Sequence, residues 1–105
     1  MIDFTQETRG GWLVVRVKGR ADAETADQLE AALRSAVDQH SRIAADFAAL
    51  DYISSAGLRA VLQAARAAQS KDVEFAVCGM SAPVKKVFDI SGMQHVLTIH
   101  GELPC

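Results

Sequence analysis

Leu50-Asp51-Tyr52-Ile53-Ser54-Ser55-Ala56-Gly57-Leu58-Arg59 is the stretch on which the fold turns. Before it, Ile43 to Phe47 is a short apolar run broken by Asp46. Its length and bounds suit a buried strand. After it, Leu58, Val61, Leu62 and Ala65 recur at intervals of three and four. That spacing predicts an amphipathic helix over about 55–69. The stretch is therefore a strand-to-helix joint, with residues 48–54 read as loop. Ser54 and Ser55 fall at the helix start, where a serine hydroxyl caps free backbone N–H groups. Gly57 lies inside the first turn, where glycine costs up to about 1 kcal/mol relative to alanine. A glycine kept there points to a close approach of backbone to something else.

Outward from this joint the pattern repeats. Downstream, Lys71-Asp72 makes a turn and Val73 to Cys78 is a strand ending at Gly79. Ser81-Ala82-Pro83 opens a further helix, since proline is tolerated in a first turn. Val84, Val87 and Phe88 are its buried side, Gly92 suits its C-terminal cap, and Val96 to Ile99 reads as a last strand before a fraying tail. Upstream, residues 23–39 form a helix with Ala26, Leu29, Leu33, Ala36 and Val37 inward, and Asp22 or Thr25 as cap. Ile2 and Phe4 alternate with Asp3 and Thr5, Gly10-Gly11 marks a two-residue hairpin, and Trp12 to Val17 is the returning strand. The order β-β-α-β-α-β-α-β predicts a single α/β domain over 1–105. Its sheet is mixed: parallel strands joined through helices, with an antiparallel hairpin at one edge.

Composition narrows the function classes. A chain of 105 residues, 50% hydrophobic and 23% charged, is an ordinary globular composition. A net charge of −2 carries no basic stripe of the kind nucleic acid demands. No apolar run spans a bilayer, and the N-terminus shows no signal peptide, so the expected location is cytoplasmic with no direct membrane contact. The two cysteines, Cys78 and Cys105, have no framework or metal spacing and read as a core thiol and a frayed terminal one. No metal or cofactor is expected.

The serine pair has two readings. One is a plain helix cap beside a packing glycine. The other presents a hydroxyl where the N–H groups and helix dipole favour an anion, so that a phosphoryl group on Ser55 would sit in a supporting field. A hydrolase is the enzymatic rival, but a nucleophile elbow needs Gly-x-Ser-x-Gly and Ile53 stands at its first position. His40, His95 and His100 lack triad or metal spacing and read as surface or loop residues. Lys85-Lys86 reads as a solvated face.

The run Ile53-Ser54-Ser55-Ala56-Gly57-Leu58 resembles the signature of STAS domains, the anti-sigma factor antagonists of bacterial partner-switching systems. That signature runs Asp-Ser-Ser/Ala-Gly-Leu, and its first serine is the phosphorylated one. Ser55 matches the phosphoacceptor, Ala56 the next position, Gly57 the glycine and Leu58 the leucine. Gly19-Arg20-Ala21-Asp22 resembles the family's Gly-x-Leu-Asp turn, with Ala21 in place of leucine, and Asp46 resembles its strand-end aspartate. The likeness covers nearly the whole chain in element order. One departure is that Ser54 stands where the family has an acidic residue, which leaves Ser54 as second choice for the modified position.

The resemblance implies a binding module without catalysis of its own. The unphosphorylated protein would bind a serine-protein kinase that doubles as an anti-sigma factor. Phosphorylation of Ser55 would release it, and a PP2C-type phosphatase would reset the cycle. Asp22, Asp46, Ser54, Ser55, Gly57, Leu58 and Arg59 would form the partner surface, and the free protein is expected to be monomeric. Bland readings stand beside these: loop capping for Asp22, a strand-end turn for Asp46 and plain exposure for Arg59. The alternative function is a STAS subunit of a membrane lipid-transport complex, or a ligand-binding STAS module. Neighbouring genes discriminate: kinase and phosphatase genes against permease and ATPase genes.

Overall fold

The structure is a computed structural model that describes residues 1–91 and 98–100. The expected cap at Gly92, the start of the last strand at Val96-Leu97, and the tail 101–105 lie outside the described residues. Strand β1 (Ile2–Arg9) turns through Gly10 and Gly11 into β2 (Trp12–Ala21). Both glycines have positive φ, +56° and +86°, the conformation that a two-residue turn between twisted strands requires. Arg9 faces Trp12 across the turn, and the pair is antiparallel throughout.

Then follow α1 (Ala26–Gln39), β3 (Arg42–Asp46), β4 (Leu50–Ile53), α2 (Ser55–Ser70), β5 (Glu74–Cys78), α3 (Ala82–Ser91) and β6 (Thr98–His100). The sheet runs β1-β2-β3-β5-β6, with β4 attached to β2 off this path. Every pair except the hairpin is parallel. This is the mixed α/β sheet expected from the order of elements.

Two elements differ from the sequence reading: β2 runs on to Ala21, through the expected turn at 19–21, because its end pairs with an unexpected strand. Within 48–54, read as loop, residues 50–53 form β4. Strand β2 pairs with β3 from Leu13 to Arg16, then with β4 from Gly19 to Ala21. The register shifts between Gly19 and Arg20, and Leu50 and Ile53 are buried while Asp51 and Tyr52 are exposed. Burial at a spacing of three hides a strand from a period-two search.

The main core lies between the sheet and α1 and α2. Val15, Val17, Ile43, Ala45 and Val77 point into it from the strands, and Phe47 from just after β3. Leu29, Leu33, Ala36 and Val37 meet them from α1, as expected. The buried stripe of α2 is Gly57, Leu58, Ala60, Val61, Ala64 and Ala68, with Leu62 and Ala65 only half-buried. The expected stripe is thus rotated toward the small residues, because alanine lets the helix lie close to its neighbours. Phe88 of α3 packs against Phe47 with ring centroids 6.2 Å apart.

The opposite face of the sheet carries a smaller cluster of Val14, Ala44 and Cys78, with Trp12 beside it. The Arg42 guanidinium lies 4.4 Å over the Trp12 ring. Cys78 is fully buried and disulfide-bonded, which corrects its reading as a core thiol. Among the described residues no helix is long and apolar enough to cross a membrane.

Candidate functional site

Ser54 has the extended backbone of a helix cap, and its Oγ accepts from the Gly57 N–H at 3.2 Å. Its carbonyl accepts from the Leu58 N–H at 2.9 Å, starting the helical ladder. Its own N–H donates to the Ala21 carbonyl at 2.8 Å, tying the joint to the end of β2. The hydroxyl of Ser54 is thus engaged in holding α2. Ser55, the first helical residue, is exposed. Of the two serines, Ser55 presents its side chain to solvent at the positive end of the helix dipole.

Gly57 shows the close approach that the sequence implied. A Cβ there would lie 2.8 Å from the Ala21 carbonyl oxygen and 2.8 Å from Ile53 Cγ1. The carbonyl belongs to a sheet strand and cannot swing aside. Gly57→Ala gains up to about 1 kcal/mol of helix propensity but forces a contact costing about 1–3 kcal/mol. The expected net effect is destabilisation by about 1–2 kcal/mol, read as a lower urea midpoint at unchanged slope. An unchanged or raised midpoint would show that α2 can shift without strain.

Around this joint the structure brings some expected residues together and separates others. Arg59 lies one turn after Ser55 and is exposed. It lines an open cleft of about 180 Å³ between α1 and α2, with Ala23, Ala26, Asp27, Glu30, Ala56 and Ala60. Gly57 and Leu58 are buried, so they shape the surface from beneath.

Asp22 and Thr25 form a local knot. The Asp22 carboxylate accepts from the N–H groups of Glu24 at 3.0 Å and Thr25 at 3.2 Å. The Thr25 hydroxyl donates to the Arg20 carbonyl at 2.7 Å and accepts from the Asp22 N–H at 2.9 Å. This knot occupies residues 22–25, so α1 starts at Ala26 rather than at 23. Desolvation pushes the Asp22 carboxyl up, but the hydrogen bonds from Glu24 and Thr25 outweigh it and leave it below its ordinary value. A carboxylate depressed on folding stabilises the native state above its unfolded pKa, and that contribution disappears as pH falls through the folded value. Urea midpoints at pH 7 and pH 3 should therefore differ less in Asp22→Asn than in the parent. Equal differences would remove Asp22 from the acid response.

Asp46 points to the other face of the sheet. The residue is 7% exposed, and its carboxylate accepts from Arg16 Nε at 3.2 Å and from the Ala48 N–H at 3.0 Å. The Arg16 guanidinium also reaches Glu7 at 2.6 Å. Glu7 first and Asp46 second hold that guanidinium further toward its charged form. Asp46 serves the turn after β3, and the contacts at the serine joint are made by other residues. His40 accepts from the Arg42 N–H at 3.2 Å through Nδ1, a loop role. The side chains of His95 and His100 lie outside the described residues.

One exposed pair was not visible in the sequence. Arg20 stacks 4.4 Å from the centroid of Tyr52, which is 41% exposed, just before the serines. Their meeting depends on the β2–β4 register, and β4 carries no alternating signal.

Three comparisons bear on this arrangement. The profile described as STAS domain matches residues 3–103. BtrV of Bordetella bronchiseptica, named as a candidate anti-sigma factor antagonist, is 36% identical over 97 residues, covering 91% of this chain and 84% of that protein. The solved structure of the anti-sigma factor antagonist SpoIIAA in its unphosphorylated form superposes with a TM-score of 0.75 at 25% identity, covering 95% of this chain and 90% of that one. The Bacillus cell fate determinant SpoIIAA in its phosphorylated form gives 0.68 at 26% identity, covering 95% and 93%.

Proposed function

The chain belongs to the STAS domain family, and from that premise we propose that it is a cytoplasmic anti-sigma factor antagonist that works by partner switching. Unphosphorylated, it binds a serine-protein kinase that serves as the anti-sigma factor and so frees that partner's other client. The kinase moves the γ-phosphoryl group of ATP to Ser55 Oγ, ADP leaves, and the hydroxyl proton passes to a base of the kinase. The phosphorylated protein is released, and a PP2C-type phosphatase hydrolyses the ester. The chain is the substrate and binding module of this cycle and supplies no catalytic group.

The observation that carries this reading is the division of labour in the serine pair. Ser54 Oγ is engaged with the Gly57 N–H, whereas Ser55 is exposed one residue later. A kinase needs an accessible hydroxyl, and Ser55 offers one on a rigid helix start. The phosphate would add about −1.5 to −2 charge where the helix dipole tolerates it within this chain. A tightly packed partner surface would not tolerate it, so release needs no change of fold. Ser55 and Arg59 present the surface, with Ser54, Gly57 and Leu58 holding its shape and Asp22 fixing the adjacent loop. Asp46 supports the loop after β3 from the far side.

The test is phosphosite mapping with the cognate kinase and ATP. Phosphate is expected on Ser55 in the parent and in Ser54→Ala, and none in Ser55→Ala. Phosphate on Ser54 in the parent, or undiminished labelling of Ser55→Ala, overturns the assignment.

A further inference from the structure

We propose that Arg59 is the residue through which phosphorylation of Ser55 is felt at the partner surface. Resting on the reading of Ser55 as phosphoacceptor, the inference adds a second position to the switch. In the unmodified protein Arg59 faces outward and pairs with a carboxylate of the partner. Once Ser55 carries phosphate, the guanidinium folds back onto it and is withdrawn from the interface.

The placement supports both halves. Ser55 and Arg59 are four residues apart on α2, and both are exposed. Side chains at that spacing are neighbours on a helix surface, and the anion-first, cation-second order is the favourable one. Guanidinium binds phosphate through paired N–H groups, which makes arginine better suited to this than lysine. Arg59 is also available. Glu30 is ion-paired with Arg34 at 3.2 Å, and among the described residues no carboxylate lies within ion-pair distance of Arg59. Asp27 and Glu30 line the same cleft from α1. An unpaired cation at the rim of a concave cleft lined by Ala23, Ala26, Ala56 and Ala60, beside the modified serine, meets whatever covers that serine. Its complement on the partner is an acidic side chain.

The experiment places phosphoserine at position 55 during translation, so it depends on no kinase. The second ionisation of the phosphate is followed by ³¹P NMR in the full chain. With Arg59 present, its midpoint is expected about 0.4 pH unit lower than in Arg59→Gln, with Arg59→Lys between the two. Equal midpoints in the parent and Arg59→Gln overturn the pair. In parallel, affinity for the cognate kinase is measured with and without phosphate. Phosphorylation should weaken binding by a smaller factor in Arg59→Gln than in the parent, because the arginine contact is already gone. The same factor in both overturns the withdrawal. Equal binding of the two parent forms sinks the release role of Ser55, a failure distinct from an unmoved ³¹P midpoint.

Discussion

Ser55→Asp is expected to weaken binding to the cognate kinase by roughly a hundredfold, while Ser55→Ala keeps affinity within about threefold of the parent. The asymmetry follows from where the residue sits. As the first residue of α2, position 55 accepts an anion without harm to the fold, and a carboxylate there adds about 0.3–1 kcal/mol of favourable dipole interaction. The substitution therefore leaves the thermal midpoint unchanged or slightly raised. At the interface the added charge must be desolvated, and it draws Arg59 away from the partner, so the loss amounts to several kcal/mol. Removing the hydroxyl deletes only a small polar group. Titration calorimetry on both variants decides the matter, with thermal melts to show that each is folded. Equal, tight binding by both would remove Ser55 from the switch.

Phe47→Ala is expected to cost about 3–5 kcal/mol of stability. Phe47 is fully buried and tilted against Phe88 at 48°. The ring joins α3 to the end of β3, so its loss leaves a void bounded by a sheet and a helix that cannot both close in. Domains of this kind have about 5–15 kcal/mol in total, so the variant should lie near its limit at 37 °C. The backbone of the same residue positions the joint: its N–H donates to the Cys78 carbonyl at 3.0 Å and its carbonyl accepts from Leu50 at 3.0 Å. Those bonds survive the substitution, so the variant should still bind the kinase at low temperature. A stability loss under about 1 kcal/mol would mean that the core relaxes around the void, contrary to close packing.

Particular residues show what the chain disclosed before folding and what it did not. The Gly10-Gly11 turn, the helix from Ser55, and a serine cap at its start were readable because each rests on neighbours in sequence. Gly57 was readable as a close approach, but not what it approaches. The Ala21 carbonyl comes from a strand more than thirty residues earlier, and only the sheet brings it there. Strand β4 was missed because its register is set by a shift in β2, not by its own alternation. Asp46 enters the expected partner surface through its resemblance to the family's strand-end aspartate. Its side follows from period two: Ala45 and Phe47 face the helices, so Asp46 faces away. The disulfide at Cys78 follows from no local pattern at all.

Strand β2 changes partners midway, from β3 to β4, and its last carbonyl holds the N–H of Ser54. The serine joint is thereby part of the sheet's own hydrogen-bond ladder rather than a loop resting on it. A docking partner meets a surface that is already ordered, and association need not freeze a mobile segment. Affinity can then reside in a small contact area, and a single added phosphate is enough to undo it.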